Sequence, residues 1–303
     1  MSAAPHLADL TVAIATRDRP EALARCLDAL LAGTILPAEI VVVDQGRDDA
    51  GEQIVQARAA APTRIVYVRQ AERGLSVSRN VGIARATSTF VAVTDDDCVP
   101  DPEWVGALSR TFATSDGPDV VTGRVLPLGP ARPGFYAVST RAAADRAEFR
   151  GPTFPWLAGT GANTAAARSW FARVGPYDDR LGAGTAGGAG EDMDILYRFL
   201  RAGARVWYEP GVLIYHERQS RARRRASRID YGRGIGALAG LWLRRRDPFA
   251  ARLLGHWVFD HGWALAGALR RGRWEWAGEE GLMLFGTARG LLYGLRLRKD
   301  GGV

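Results

Sequence analysis

Lysine is all but missing from this chain: Lys299 is the one lysine in a sequence whose Lys and Arg together number 40. The positive charge is therefore guanidinium, and together with abundant alanine it points to genomic base composition more than to function. Cysteine is equally scarce. Cys26 and Cys98 are the two present, and they form neither a Cys-x-x-Cys pair nor a disulfide framework, which suits a reducing compartment. An unbroken apolar run of about 20 residues, the length of a membrane-crossing helix, is also lacking, because His256, Asp260 and His261 interrupt one apolar stretch and Arg289 another. The first ten residues carry neither a basic nor an apolar block. No secretory signal is read there, and the catalytic part is expected in the cytoplasm.

What is present fits a globular protein. The 303 residues are 47% hydrophobic and 24% charged, enough to bury one large core or two ordinary ones. Net charge is +7, and its distribution matters more than its sum. Carboxylates dominate several turns of the first half, whereas Arg218, Arg221, Arg223, Arg224, Arg225 and Arg228 crowd one segment and Arg244, Arg245 and Arg246 follow. Such a block suits nucleic acid, anionic lipid or a pyrophosphate, or is a solvated helix face. No aromatic residue interleaves the cluster and no nucleic-acid motif accompanies it, so nucleic acid is not an expected partner.

Hydrophobic runs alternate with helical patterns through the first half. Strands are predicted at Leu10–Ala15, Glu39–Asp44, Arg64–Val68, Phe90–Val93 and Val120–Val125. Helices are predicted after Asp18-Arg19-Pro20-Glu21, to about Ala60, over Ser76–Ala86, to about Ala113 and over Tyr136–Phe149. This order implies right-handed βαβ units and a parallel sheet, with ligands beyond the carboxyl ends of the strands. Arg205–Tyr208 and Val212–Tyr215 are read as two short closing strands.

The residues at those strand ends make one prospective site: Thr16 and Arg17, Asp44, Arg69 to Gly74, and Asp95-Asp96-Asp97. Three adjacent carboxylates after a buried strand repel one another and are costly to desolvate without a counter-charge, so a cation belongs there. Mg²⁺ or Mn²⁺ would suit the oxygens; a solvated acidic turn is the plainer alternative. Asp44 could orient a pyrimidine through its N3 proton, or start an Asx turn with Gly46. Asp49 is read with the same ambiguity as Asp44 or as a helix cap. Arg79 could reach the site or pair with a surface carboxylate. Trp156 to Asn163 combines an aromatic with small residues that let backbone approach a ligand, or packs as a turn. The glycine-rich 182–190 stretch feeds Glu191-Asp192, a lid with a reactive group at its hinge or merely an acidic helix start. Asp194 and Arg198 are read as a surface pair. His216 follows a strand and is a possible metal ligand.

In order and spacing, Val12 to Pro20, Val41 to Gly46, Gly74 with Arg79-Asn80-Val81-Gly82, Asp95-Asp96-Asp97, Gly161-Ala162-Asn163, Gly190-Glu191-Asp192 and Tyr208-Glu209-Pro210 resemble the family 2 inverting glycosyltransferases of the GT-A fold, from about Leu10 to His216. The resemblance implies an α/β fold, a mostly parallel Rossmann-like sheet flanked by helices, at residues 1–217, with 218–303 as a basic, Trp-rich helical extension. It implies a nucleotide-sugar donor of UDP or dTDP type held by Thr16, Arg17, Asp44, Arg79, Asp95 and Asp96. A Mg²⁺ or Mn²⁺ ion would be bound by Asp95 and Asp97 with His216, Asp192 would be the base, and Trp156, Asn163 and Glu191 would line the acceptor side or its lid. The acceptor is expected to be a saccharide or lipid-linked hydroxyl in glycan, glycolipid or cell-envelope polysaccharide synthesis.

The apolar, Trp-bearing stretches after residue 218 suit an anionic membrane surface, a helical cap or an oligomer contact. A peripheral position at the inner face of the cell membrane is the expectation drawn. Two other readings stand beside transfer: an inactive nucleotide-sugar-binding or membrane-scaffold protein, and a sugar-phosphate nucleotidyltransferase. The latter wants a glycine-rich loop after the first strand, and Ala15 to Pro20 has no glycine.

Overall fold

The computed structural model describes residues 6–297; Lys299, singled out above, lies outside them. Two compact units emerge, one formed by residues 1–177 with 195–219, the other by 178–194 with 220–303. The stretch 178–194 thus groups with the C-terminal helices and not with the sheet that precedes it.

The first unit begins with β1 (Leu7–Thr16), α1 (Pro20–Leu31), β2 (Leu36–Asp44), α2 (Ala50–Gln56), β3 (Arg64–Arg69), α3 (Leu75–Arg85) and β4 (Phe90–Asp95). It continues through β5 (Cys98–Pro100), α4 (Trp104–Phe112), β6 (Val120–Pro127), β7 (Phe135–Tyr136), β8 (Ala147–Phe149), α5 (Pro155–Ala158), a 3-10 turn at Gly161–Asn163, β9 (Thr164–Ala167) and α6 (Arg168–Val174). After α7 (Glu191–Arg201) comes β10 (Val206–His216), then β11 (Gln219–Ser220). Strand order in the main sheet is β3-β2-β1-β4-β9-β6-β10-β5, with β8 also on β10. Neighbours from β3 to β4 are parallel, as is the β6–β10 pair, while β9 runs antiparallel between β4 and β6.

The β1, β2 and β4 strands are buried on both faces, hence their unbroken Val/Ile/Ala runs. Helix α1 seals one face with Ala22, Leu23, Cys26, Leu27 and Leu30, which recur at steps of three and four. Cutting one of these leucines to alanine would cost about 2–5 kcal/mol.

Several local expectations are corrected. No helix spans Tyr136–Phe149; two short strands flank an irregular segment. Arg141 exchanges backbone hydrogen bonds with Val125, its guanidinium lies 4.6 Å from the Tyr208 ring centroid, and the Tyr208 hydroxyl donates to the Ala143 carbonyl. Tertiary partners there outweigh the helix propensity of the alanines. The two closing strands are one, β10, with a register break between Glu209 and Leu213 that absorbs Pro210 and Gly211. Helix α2 ends at Gln56. Asp18 does not cap α1: it sits at φ 52° and accepts a hydrogen bond from the Arg47 backbone amide.

The second unit holds α8 (Arg221–Arg244), α9 (Pro248–Arg270) and α10 (Trp274–Arg296). Helices α8 and α10 meet along Gly232, Gly236 and Gly240 on one side and Gly286, Gly290 and Gly294 on the other. A Cβ at any of the six would collide with the partner helix's backbone, so the two backbones touch with no side chain between them. Arginines of the basic block are partly neutralised across this seam, where Arg224 grips Glu279 at 2.7 Å and Arg228 approaches the same carboxylate at 3.3 Å. The glycine-rich loop is likewise laid on α8. Ala189 donates to the Asp230 carbonyl, and a Cβ at Gly190 would fall 2.6 Å from the Gly234 Cα.

Candidate active site

Strand β4 delivers Asp95 at its carboxyl end, and a two-residue turn carries the chain through Asp96 and Asp97 into β5. Because β5 pairs antiparallel with β10, Cys98 stands opposite His216. Ligand atoms of Asp95, Asp97, Cys98 and His216 come within 4.8 Å of one another. The His216 Nδ1 faces the Glu217 carbonyl oxygen at 2.8 Å. A carbonyl can only accept, so Nδ1 carries the hydrogen, and in the neutral ring Nε2 turns a lone pair toward Asp97 Oδ1, 3.6 Å away.

An imidazole nitrogen and a carboxylate oxygen facing each other at that distance, beside a second carboxylate, are a donor set of the oxygen–oxygen–nitrogen kind that suits Mn²⁺ or a similar divalent ion. Cys98 is the misfit member. Thiolate is a soft ligand better suited to zinc or copper than to Mn²⁺, and burial, followed by the nearby aspartates, pushes this thiol well above its usual range.

Two arginines supply the counter-charge that three clustered carboxylates require. Arg19 places one nitrogen 2.6 Å from Asp97 Oδ2 and another 2.8 Å from Asp96 Oδ1. Arg79, itself buried, donates to Asp95 Oδ1 at 2.8 Å and lies 5.5 Å from the Tyr177 ring centroid. Asp96 is fully buried and accepts from the Thr16 hydroxyl at 2.7 Å. Its carboxyl is pushed up to about 7 by burial, with Asp97 and Asp95 adding to the rise and Arg19 and Thr16 opposing it. Arg19 was not singled out from the sequence, although the demand for a cation was; it stands one turn from Thr16 in a loop whose shape the sequence does not disclose. Arg17 is half exposed and lies 3.7 Å from Asp18.

A second part of the site is a small cleft lined by Thr16, Asp18, Arg19, Asp44, Gly46 and Gly51. Asp44 is buried at its floor, with the Gly46 amide donating to Oδ1 at 2.6 Å and the Tyr67 hydroxyl to Oδ2 at 2.9 Å. The Asx turn is therefore real. Glycine at 51 is required by the close approach of α2, since a Cβ there would overlap Asp44 Oδ2. Asp49 caps nothing and pairs with Arg69 at 2.7 Å.

Trp156 is half-buried and stacks on Phe154. Asn163 is not available to an acceptor. It is buried, accepts from the Trp104 indole at 2.9 Å and donates to the carbonyls of Arg124 and Val212 at 3.0 and 2.8 Å, so its amide ties β6, β10 and α4 together. Glu191 and Asp192 open α7 in the second unit. Glu191 is buried, while Asp192 is half exposed and accepts from the Met193 amide. Asp194 is no surface residue: it is buried and accepts from the Trp242 indole at 3.0 Å, while Arg198 donates to the Val174 and Gly175 carbonyls.

Residues 11–167 match the description Glycosyl transferase family 2. The chain belongs to that family. Among curated relatives, the chain is 25% identical over 218 residues to the glucosyl-dolichyl phosphate glucuronosyltransferase of Haloferax volcanii, covering 66% of each chain. It is 27% identical over 250 residues to the pre-mycofactocin glycosyltransferase of Mycobacterium tuberculosis, covering 81% of this chain and 50% of that one. The chain thus spans between half and two thirds of these relatives' lengths. Among solved structures, the mannosyltransferase PcManGT of Pyrobaculum calidifontis in complex with GDP-Man and Mn²⁺ superposes with a TM-score of 0.62 at 18% identity, covering 95% of this chain and 89% of that one. TarS residues 1–349 from S. aureus give 0.62 at 15% identity, with 94% and 88% covered. The architecture is the GT-A fold with a helical C-terminal region.

Proposed function

We propose that this glycosyltransferase moves a sugar from a nucleoside-diphosphate sugar to an acceptor hydroxyl with inversion, with a divalent ion held by Asp95, Asp97 and His216. The observation that carries the reading is that oxygen–oxygen–nitrogen cluster at the carboxyl end of β4, backed by Arg19 and Arg79. The neighbours solved with GDP-Man and Mn²⁺ and with UDP-GlcNAc support a nucleotide-sugar donor. When bound, the ion supplies Lewis acidity toward the departing diphosphate.

The chain's own groups do the rest. Arg19 and Arg79 fix the aspartates so that an oxygen of Asp97 faces His216. Asp44, anchored by Gly46 and Tyr67, lends its carboxylate edge to the N3–H of a uracil or thymine; Thr16 lines the same cleft, and Arg17, next in the chain, serves the donor from beside it. Asp192 accepts the proton of the attacking hydroxyl as general base. The acceptor is a saccharide or lipid-linked hydroxyl of glycan, glycolipid or envelope-polysaccharide synthesis, a class that the dolichyl phosphate in one relative's name supports. The protein works peripherally at the inner face of a membrane.

The test is nucleotide release from a panel of nucleotide sugars with and without Mn²⁺. Asp192→Asn should lower turnover by about 10²–10⁴-fold while nucleotide diphosphate still raises the melting temperature. Asp97→Asn should abolish the metal-dependent part of that rise. Parental turnover by Asp192→Asn with every donor and acceptor would sink the assignment of the base.

A further inference from the structure

No described helix is long and apolar enough to cross a membrane, yet the second unit leaves large side chains uncovered. Helix α9 buries Ala250, Leu253 and Ala268 out of its 23 residues. Its outward stripe carries Phe259 and Trp263, which stack with centroids 6.4 Å apart and are 68% and 65% exposed, and Leu269 is exposed near the end of the helix. On α10, Trp274, Gly278, Gly281, Phe285, Ala288 and Leu292 recur at alternating steps of four and three. Trp274, Phe285 and Leu292 are all more than half exposed. The turn joining the helices is Arg271-Gly272-Arg273.

The charges on this hairpin differ in pairing. Its carboxylates are engaged: Glu279 by Arg224 and Arg228, Glu280 by His261, Glu275 by Arg221 and Asp260 by His256. Arg270, Arg271, Arg273, Arg289 and Arg296 are exposed, and no carboxylate pairs with them among the described residues. Two of them lie over the exposed rings instead, Arg270 at 5.5 Å from Trp263 and Arg289 at 5.7 Å from Phe285.

We infer that the outward faces of α9 and α10 are a docking surface for an anionic lipid bilayer, with the helices lying along it and their Trp and Phe side chains entering the headgroup boundary. Indole and phenyl rings are favoured at that depth, and the arginine rim matches anionic headgroups. The four-and-three stripe on α10 would also suit a second copy of the chain. A two-fold pairing through it, however, would set the same uncompensated arginines against each other, so charge complementarity favours the bilayer. This deepens the membrane position included in the functional reading and rests on it for its purpose. The docking itself involves no sugar transfer.

The experiment is co-sedimentation of the full chain with vesicles of phosphatidylcholine alone and of phosphatidylcholine mixed with phosphatidylglycerol. Binding to the mixed vesicles should be about tenfold tighter than to the neutral ones and should weaken with salt. The Trp263→Ala/Trp274→Ala and Arg271→Glu/Arg273→Glu variants should each lose about tenfold, with melting curves and nucleotide-diphosphate stabilisation kept as evidence of intact folding. No binding to mixed vesicles, or equal binding by parent and both variants, overturns the inference. So does light scattering that finds a dimer which Trp263→Ala/Trp274→Ala dissolves, since the face would then be covered by a second copy. Vesicle binding without nucleotide release would count against the transfer reading alone, and release from a chain that ignores vesicles against the docking surface alone.

Discussion

Arg19 holds Oδ2 of Asp97 at 2.6 Å and leaves Oδ1 of the same carboxylate turned toward His216. In the proposed metal site, the arginine would therefore orient a ligand from behind. Partners of this kind are worth about 10–100-fold in metal affinity where they have been removed. Arg19→Gln is expected to weaken Mn²⁺ binding by about tenfold, read by titration followed with electron paramagnetic resonance. Without metal it should also melt lower, because Asp96 and Asp97 lose their shared counter-charge. Tighter Mn²⁺ binding by the variant would mean that Arg19 competes with the ion instead.

Asp96 sets a pH dependence for the metal-free protein. Its folded-state value, raised to about 7 by burial, exceeds that of an unfolded carboxyl near 3.9. The folded chain then keeps a proton that the unfolded chain has already released. Stability from this group is complete below about pH 4 and is lost as pH rises through about 7. Melting temperatures of chelator-treated protein should show that decline, and Asp96→Asn should flatten it.

Gly51→Ala should act away from the proposed metal ligands. The added methyl overlaps Asp44 Oδ2 and must push the carboxylate off the Tyr67 hydroxyl. Affinity for uridine diphosphate, measured by calorimetry, is expected to fall about tenfold, a loss equivalent to one charge-assisted hydrogen bond. Mn²⁺ affinity should not change, because that site lies on other residues.

The glycine seam gives a matched pair. Gly290→Ala drives a methyl into the Arg233 carbonyl and should destabilise by about 1–3 kcal/mol. Gly278 lies on the same helix with no atom within 4 Å of its would-be Cβ. Gly278→Ala should therefore leave stability unchanged or raise it by about 0.5–1 kcal/mol through lower unfolded-state entropy. Denaturant melts of the two variants check both signs.

Much of this was legible in sequence because it is local. Apolar runs marked β1, β2 and β4, and the strand-end rule brought Thr16, Asp44 and the aspartates into one list. Positions set by distant partners were not. Asn163 looked available because glycine and alanine precede it, but Trp104 and two carbonyls consume its amide. Asp194 looked like half of a surface ion pair, and the indole of Trp242, 48 residues on, buries it. Arg19 hid in a helix-start motif whose expected cap, Asp18, turns away to the Arg47 amide. Composition rich in alanine and arginine likewise offered a helix for Tyr136–Phe149 and held no trace of the Arg141–Tyr208 stacking that stands in its place.

The resting of the 182–190 loop on α8 bears on how the gene can be cut. Ala189 and Gly190 touch Asp230 and Gly234, residues that a truncation after the sheet would delete. The helical tail therefore cannot be treated as a detachable appendage. A shortened protein ending near residue 219 would keep every strand of the main sheet and Asp95, Asp97 and His216, yet the loop that leads into Glu191 and Asp192 would have lost its floor.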